Sequence, residues 1–178
     1  MLKKYLSAII VAGAAVLALI FGLILPGAAY SVEQFGVTES QTANLIGLMF
    51  GSTTITVTAG NVTASMIYQG GMSIFGLISF LALIAGIALI VVSIFVKGKK
   101  FDFIGAICIA AAGIFAFLLL TCGTDITGVT INGTTSNGTA TFTEVYEEFK
   151  LGAGAIIYGI VATLGGAFGI VNNFKKLI

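Results

Sequence analysis

Few residues in this chain could do chemistry. It has seven carboxylates, eight lysines, two cysteines and five tyrosines, with no histidine, arginine or tryptophan. Without histidine the usual general base at neutral pH is missing. No His or Cys cluster is available to hold zinc or haem. Glu144, Glu147 and Glu148 form an acidic group whose oxygens could touch a divalent cation. Such groups are ordinarily just solvated, so no metal site is assigned. Cys108 and Cys122 are fourteen residues apart in one run, about 21 Å along a helix. A disulfide needs Cα atoms within about 7 Å, so these two cannot pair in an intact helix. The expectation is no enzyme, no cofactor and no metal. Three N-x-[ST] sequons, at Asn61, Asn132 and Asn137, are compatible with glycosylation. Asn132-Gly133 and Asn137-Gly138 are also turn dipeptides, which explains those asparagines without a sugar.

The elements that must carry these residues are overwhelmingly apolar. Of 178 residues, 58% are hydrophobic and 8% charged, against about 25% charged in a soluble domain. The mean hydropathy is +1.12. A nucleic-acid binder would need a basic stripe, and none is present. Four stretches, 5–25, 72–96, 103–121 and 151–171, contain no Asp, Glu or Lys and no ionisable side chain except Tyr5, Tyr158 and the thiol of Cys108. Each approaches the roughly 20 helical residues that cross a bilayer, and in lipid the backbone must satisfy its own hydrogen bonds. The first stretch begins like a signal peptide, with Lys3 and Lys4, and Gly27-Ala28-Ala29 resembles a cleavage site. Its 21 apolar residues exceed the 7–15 or so of a signal core, so it is read as a retained span.

Four crossings would sort the charges by side. Segments 1–4, 97–102 and 172–178 hold seven lysines and one acid, Asp102, a net +6. Segments 26–71 and 122–150 hold one lysine, Lys150, and six acids, a net −5. The positive-inside rule then places both termini in the cytoplasm of a multi-pass plasma-membrane protein. The inner lysines are read as topology signals and contacts to anionic lipid.

The two outer segments carry most of the polar side chains. Residues 52–58 and 62–68 are rich in Thr, Val and Ile about a Gly-containing turn, which reads as a hairpin. Residues 127–131 and 139–145 flank the two Asn-Gly pairs and read as a second hairpin. Thr38-Glu39-Ser40-Gln41 has the form of a capping box, and 43–50 fits a short interfacial helix or a further strand. Residues 144–150 are expected to extend the fourth span outward.

Small residues four apart let membrane helices approach closely. Each span has at least one such ridge. The fourth has several: Ala155 with Gly159, Ala162 with Gly166, and Gly165 with Gly169. These six are candidates for helix packing or for contact between subunits.

Four spans, a long first outer segment rich in strand formers, a six-residue inner turn and a shorter second outer segment resemble the claudin and peripheral-myelin-protein class of tetraspan proteins. That resemblance implies a left-handed four-helix bundle topped by an antiparallel sheet that mediates lateral and cell-to-cell assembly. The class signature of a Gly-Leu-Trp and paired cysteines in the first outer segment is absent here, so no functional residue is carried over.

The fold expected from the sequence is therefore mainly α: a four-transmembrane-helix bundle with a small extracellular antiparallel β-sheet. The expected role is structural, with homo-oligomers or a membrane-protein partner assembled through the outer β region and the small-residue helix faces. The bilayer itself is the other partner, and no nucleic acid is bound. The alternative is a pore-forming or transporter accessory subunit, lined by Thr, Ser and Gly and favouring cations through its acidic outer face.

Overall fold

A computed structural model describes residues 2–34, 37–96 and 99–177. The chain order is α1 (Leu2–Ile24), β1 (Pro26–Gln34), β2 (Val37–Asn44), α2 (Leu45–Phe50), β3 (Ser52–Ala59), β4 (Val62–Gly70), α3 (Ile74–Val96) and α4 (Lys99–Ala116). Then follow β5 (Ile126–Ile131), β6 (Thr134–Ala140), α5 (Phe142–Tyr146), β7 (Lys150–Leu151) and α6 (Ala153–Leu177). All seven strands form one antiparallel sheet in the order β6-β5-β4-β3-β2-β1-β7.

The expected architecture is corrected by this arrangement. The chain is α+β rather than mainly α, and its sheet is the largest single element rather than a small cap. Among the described residues three helices, not four, are long and apolar enough to cross a membrane. Two physical causes separate expectation from structure. Residues 26–34 and 37–44, rich in Ala, Ser and Thr, pair as β1 and β2, which adds two strands. The third apolar stretch is carried by α4, which begins with Lys99, Lys100 and Asp102 and stops at Ala116. Beyond it the chain tightens, with Phe117, Leu118 and Leu119 each bonding the carbonyl three residues back.

Local chemistry explains the strand ends. Between β3 and β4, Ala59 pairs with Val62 across Gly60-Asn61, and Gly60 has φ +56. Glycine in that first central position fits the type II′ hairpin. Between β5 and β6, Ile131 pairs with Thr134, and both Asn132 (φ +50) and Gly133 (φ +80) are left-handed. That is the type I′ requirement. Asn137-Gly138 is no turn: it lies within β6, beside an irregularity opposite Ile126 and Gly128. The second strand of this hairpin is therefore 134–140 rather than 139–145.

Three further expectations change. Thr38–Gln41 is no cap, because it lies inside β2, with Ser40 paired to Ser31 and to Thr58. A capping box forms instead at the start of α5, where Thr141 Oγ1 accepts from Glu144 N at 3.3 Å and Glu144 Oε2 accepts from Thr141 N at 3.0 Å. Residues 43–50 divide, with Ala43 and Asn44 ending β2 and Leu45 starting α2. Residues 144–150 do not extend α6. They finish α5 and enter β7, whose Lys150 and Leu151 pair with Ala29 and Ala28.

Every strand end that connects to a helix lies at one end of the sheet; the β3–β4 and β5–β6 turns lie at the other. One sheet face is apolar: Ala28, Ala43 and Ile55 are buried, with Val57, Met66 and Tyr68 packed beside them. Buried side chains of α2 (Leu45, Leu48, Met49) and α5 (Phe142, Tyr146) join them in one core with the long helices.

The long helices pack on glycine and serine. A Cβ on Gly86 of α3 would stand 2.9 Å from Gly105 O of α4, and one on Gly105 would stand 2.9 Å from Gly86 O. Only backbone without side chains permits that approach. Ser79 Oγ on α3 donates to Ala112 O on α4 at 2.7 Å. It also lies 3.1 Å from the buried Tyr158 hydroxyl of α6, which donates to Ser79 O at 3.3 Å. A serine and a tyrosine thus tie three helices together where no water competes.

Candidate functional site

Two surfaces stand out. The first is an apolar belt around the helices. In the most apolar windows of α1, α3 and α6, only 33%, 28% and 44% of residues are buried within the chain. The outward positions are large and aliphatic or aromatic: Ile9, Leu17 and Ile24 on α1, Leu81, Ile84 and Phe95 on α3, and Ile160, Leu164 and Phe168 on α6. The outer side of α4 contributes Ile104, Ile107 and Ile114. The inward positions are mostly small, such as Ala15, Ala18, Ala106, Ala112, Ala155 and Ala162. Soluble monomers rarely expose a contiguous apolar patch beyond a few hundred Å². This pattern inverts the usual one, with large side chains outside and small ones inside.

Charge brackets the belt. Lys3 and Lys4 lie at the start of α1, Lys99 and Lys100 at the start of α4, and Lys175 and Lys176 at the end of α6. All are at helix ends remote from the sheet; Lys97 lies outside the described residues. Asp102 shares that end. It sits in the first turn of α4, where the helix dipole favours an acid, and accepts a hydrogen bond from Ser93. The remaining six acids and Lys150 are at the sheet end.

The second surface is the polar face of the sheet. Register aligns hydroxyls across the strands: Thr42, Thr56 and Ser65 form one row, and Ser31, Ser40, Thr58 and Thr63 another. Thr130 and Thr135 hydroxyls are 2.9 Å apart. At the edge nearest β7 lies a groove of about 400 Å³, lined by Tyr30, Ser31, Ser40, Thr42, Glu148 and Lys150 among others. The Glu148 carboxylate beside the Tyr30 hydroxyl holds that phenol's pKa above its ordinary value. Backbone and side-chain hydrogen bonds from Thr141 hold Glu144 below the usual carboxylate range. On the inner side, burial raises the Tyr146 phenol. Its hydroxyl and that of the neighbouring Thr53 are both buried without a well-formed hydrogen bond.

The six small residues of α6 singled out from the sequence, Ala155, Gly159, Ala162, Gly165, Gly166 and Gly169, are all buried within the chain. A Cβ on Gly166 would meet Ala110 N at 2.4 Å, and one on Gly165 would meet Ala14 Cβ at 2.6 Å. Gly159 faces the Phe117 ring, and Gly169 faces Ala106 and Val11. They are packing residues against α4 and α1, not an outward surface. The sequon asparagines Asn61, Asn132 and Asn137 are all exposed. Two cap hairpins and one lies in the edge strand. Cys108 is half-buried, Cys122 exposed, and both are free thiols. Among the described residues no group of three His, Cys, Asp or Glu side chains converges as metal ligands would.

The groove beside β7 escaped the sequence reading. Its residues come from β1, β2 and the α5–β7 segment, far apart in the chain. The alternation of small and larger residues from Ala29 to Val32 was the available signal of a strand there. In comparisons with known proteins, no family model matches the chain and no curated protein matches it significantly.

Proposed function

We propose that this is an integral membrane protein that holds a β-sheet platform at the bilayer surface for assembly with further copies or with a membrane-protein partner. The observation that carries the membrane part is the exposed apolar belt. Its inverted packing suits lipid as solvent, and α3, with 23 residues, is about 35 Å long, matching a hydrocarbon core of about 30 Å. The lysines at the remote helix ends fit a cytoplasmic side, with the sheet and most acids opposite, at the plasma-membrane surface.

The assembly part is supported by the β6 edge. Natural edge strands are usually guarded by lysine, proline or shortness. The β7 edge has two such guards, being two residues long and carrying Lys150. Strand β6, Thr134–Ala140, is seven residues long with no charge and no proline, so it can accept a strand from another chain. In mild detergent the protein is expected to run as an oligomer, and Asn137→Lys with Thr139→Lys on this edge should shift it towards monomer. A strictly monomeric wild type with no captured partner would dispose of the assembly role. Recovery of the protein in the aqueous fraction after flotation would dispose of the membrane role.

A further inference from the structure

We propose that the helix-proximal part of the sheet's polar face docks the headgroup of an ammonium-bearing zwitterionic phospholipid from the surrounding bilayer, with Lys150 on its phosphate and Glu148 on its ammonium. This rests on the membrane reading above. Two grooves meet at Thr42. One, of about 200 Å³, starts at Leu23 and Ile24, the end of the apolar belt on α1, and reaches Thr42. The other, of about 400 Å³, continues from Thr42 to Tyr30, Glu148 and Lys150. A surface that is apolar at one end and hydrogen-bonding at the other matches the junction of acyl chain and headgroup.

Height supports the same occupant. Lys150 pairs with Ala29 at the end of the sheet joined to the helices, and α6 begins three residues later at Ala153. Ile24 is 73% exposed, so the apolar wall is open where the polar groove begins. Charge supports it too. Glu148 and Lys150 line one groove, yet they form no ion pair with each other or with any other described residue. Both charges are thus available to a ligand carrying the opposite pair. A primary ammonium gives Glu148 a charge-assisted hydrogen bond that quaternary choline cannot. A purely anionic headgroup would meet repulsion from Glu148. The Tyr30 hydroxyl adds a neutral donor next to the carboxylate.

The test uses the full chain in nanodiscs made of equal parts phosphatidylethanolamine and phosphatidylcholine, with retained lipid read by native mass spectrometry. Wild type should retain the ethanolamine lipid about three- to fivefold over the choline lipid, the size expected of one partly exposed charge contact. Glu148→Gln should bring the ratio close to one, whereas Lys150→Gln, which removes the contact to a phosphate both lipids share, should lower retention of both and leave the ratio above one. Both residues are exposed, and unchanged circular dichroism confirms that the variants are folded. An even ratio in wild type, a preference kept by Glu148→Gln, or retention unchanged by Lys150→Gln would overturn the site. In a second nanodisc of equal parts phosphatidylglycerol and phosphatidylethanolamine, tighter retention of phosphatidylglycerol would overturn it as well, because Lys150 alone would then select. Failure to enter the bilayer, read first by flotation, would overturn the membrane reading itself. Insertion without headgroup preference overturns only this site.

Discussion

Gly166 and Gly13 both sit in apolar helices, yet their surroundings are opposite. A Cβ on Gly166 would stand 2.4 Å from Ala110 N and 2.7 Å from Ala106 O, whereas Gly13 has nothing within 4 Å. Backbone cannot yield as a flexible side chain can. Gly166→Ala should therefore cost about 1–3 kcal/mol through overpacking. Gly13→Ala should be neutral or gain up to about 1 kcal/mol in helix propensity. Thermal unfolding in one detergent checks both, and equal shifts for the two would refute the packing assignment. The sequence told much at this scale. The spacing of Ala155, Gly159, Ala162 and Gly166 announced close helix contacts. It could not say whether α4, α1 or another subunit supplies the partner, because spacing along one helix defines a face but not what covers it.

At the scale of elements, the two Asn-Gly dipeptides show what local chemistry can decide. Asn132-Gly133 turns the chain because Ile131 and Thr134 can pair across it. Asn137-Gly138 has the same letters but stays in β6, where strand pairing overrides the turn preference. Gly133 has φ +80, while Gly138 has no left-handed φ and open space around it. Gly133→Val should accordingly cost about 1–2 kcal/mol, the penalty for an L residue in left-handed geometry. Gly138→Ala should change stability little. Chemical unfolding followed by tyrosine fluorescence compares them, and a larger loss at Gly138 would show the turn to be misplaced. The β1–β2 pair was hidden for another reason. Thr38 and Gln41 mimic a helix cap, and pairing with β1 on one side and β3 on the other makes that segment a strand. The true cap, Thr141 with Glu144, follows the same sequence rule and was legible, but its segment was read as a strand running into α6.

The whole molecule is a polarised object. Lysines gather at the helix ends remote from the sheet, acids gather at the sheet end, and large apolar side chains face outward between them. The apolar stretches and the segregation of charge were plain in the sequence. The size of the sheet was not, since its seven strands come from four separate parts of the chain and its register is a tertiary property. Nor was the shortfall of α4, whose apolar letters continue past the point where its helix ends.

In the proposed membrane protein the apolar belt faces lipid. Spin labels at Ile84→Cys and Leu164→Cys, both outward on the helices, and at Thr63→Cys on the polar sheet face test it directly, with Cys108 and Cys122 replaced by serine and the protein in vesicles. Collision with dissolved oxygen should dominate at positions 84 and 164, and collision with an aqueous nickel complex should dominate at 63. Strong aqueous nickel contact at all three positions would contradict the membrane-embedded account.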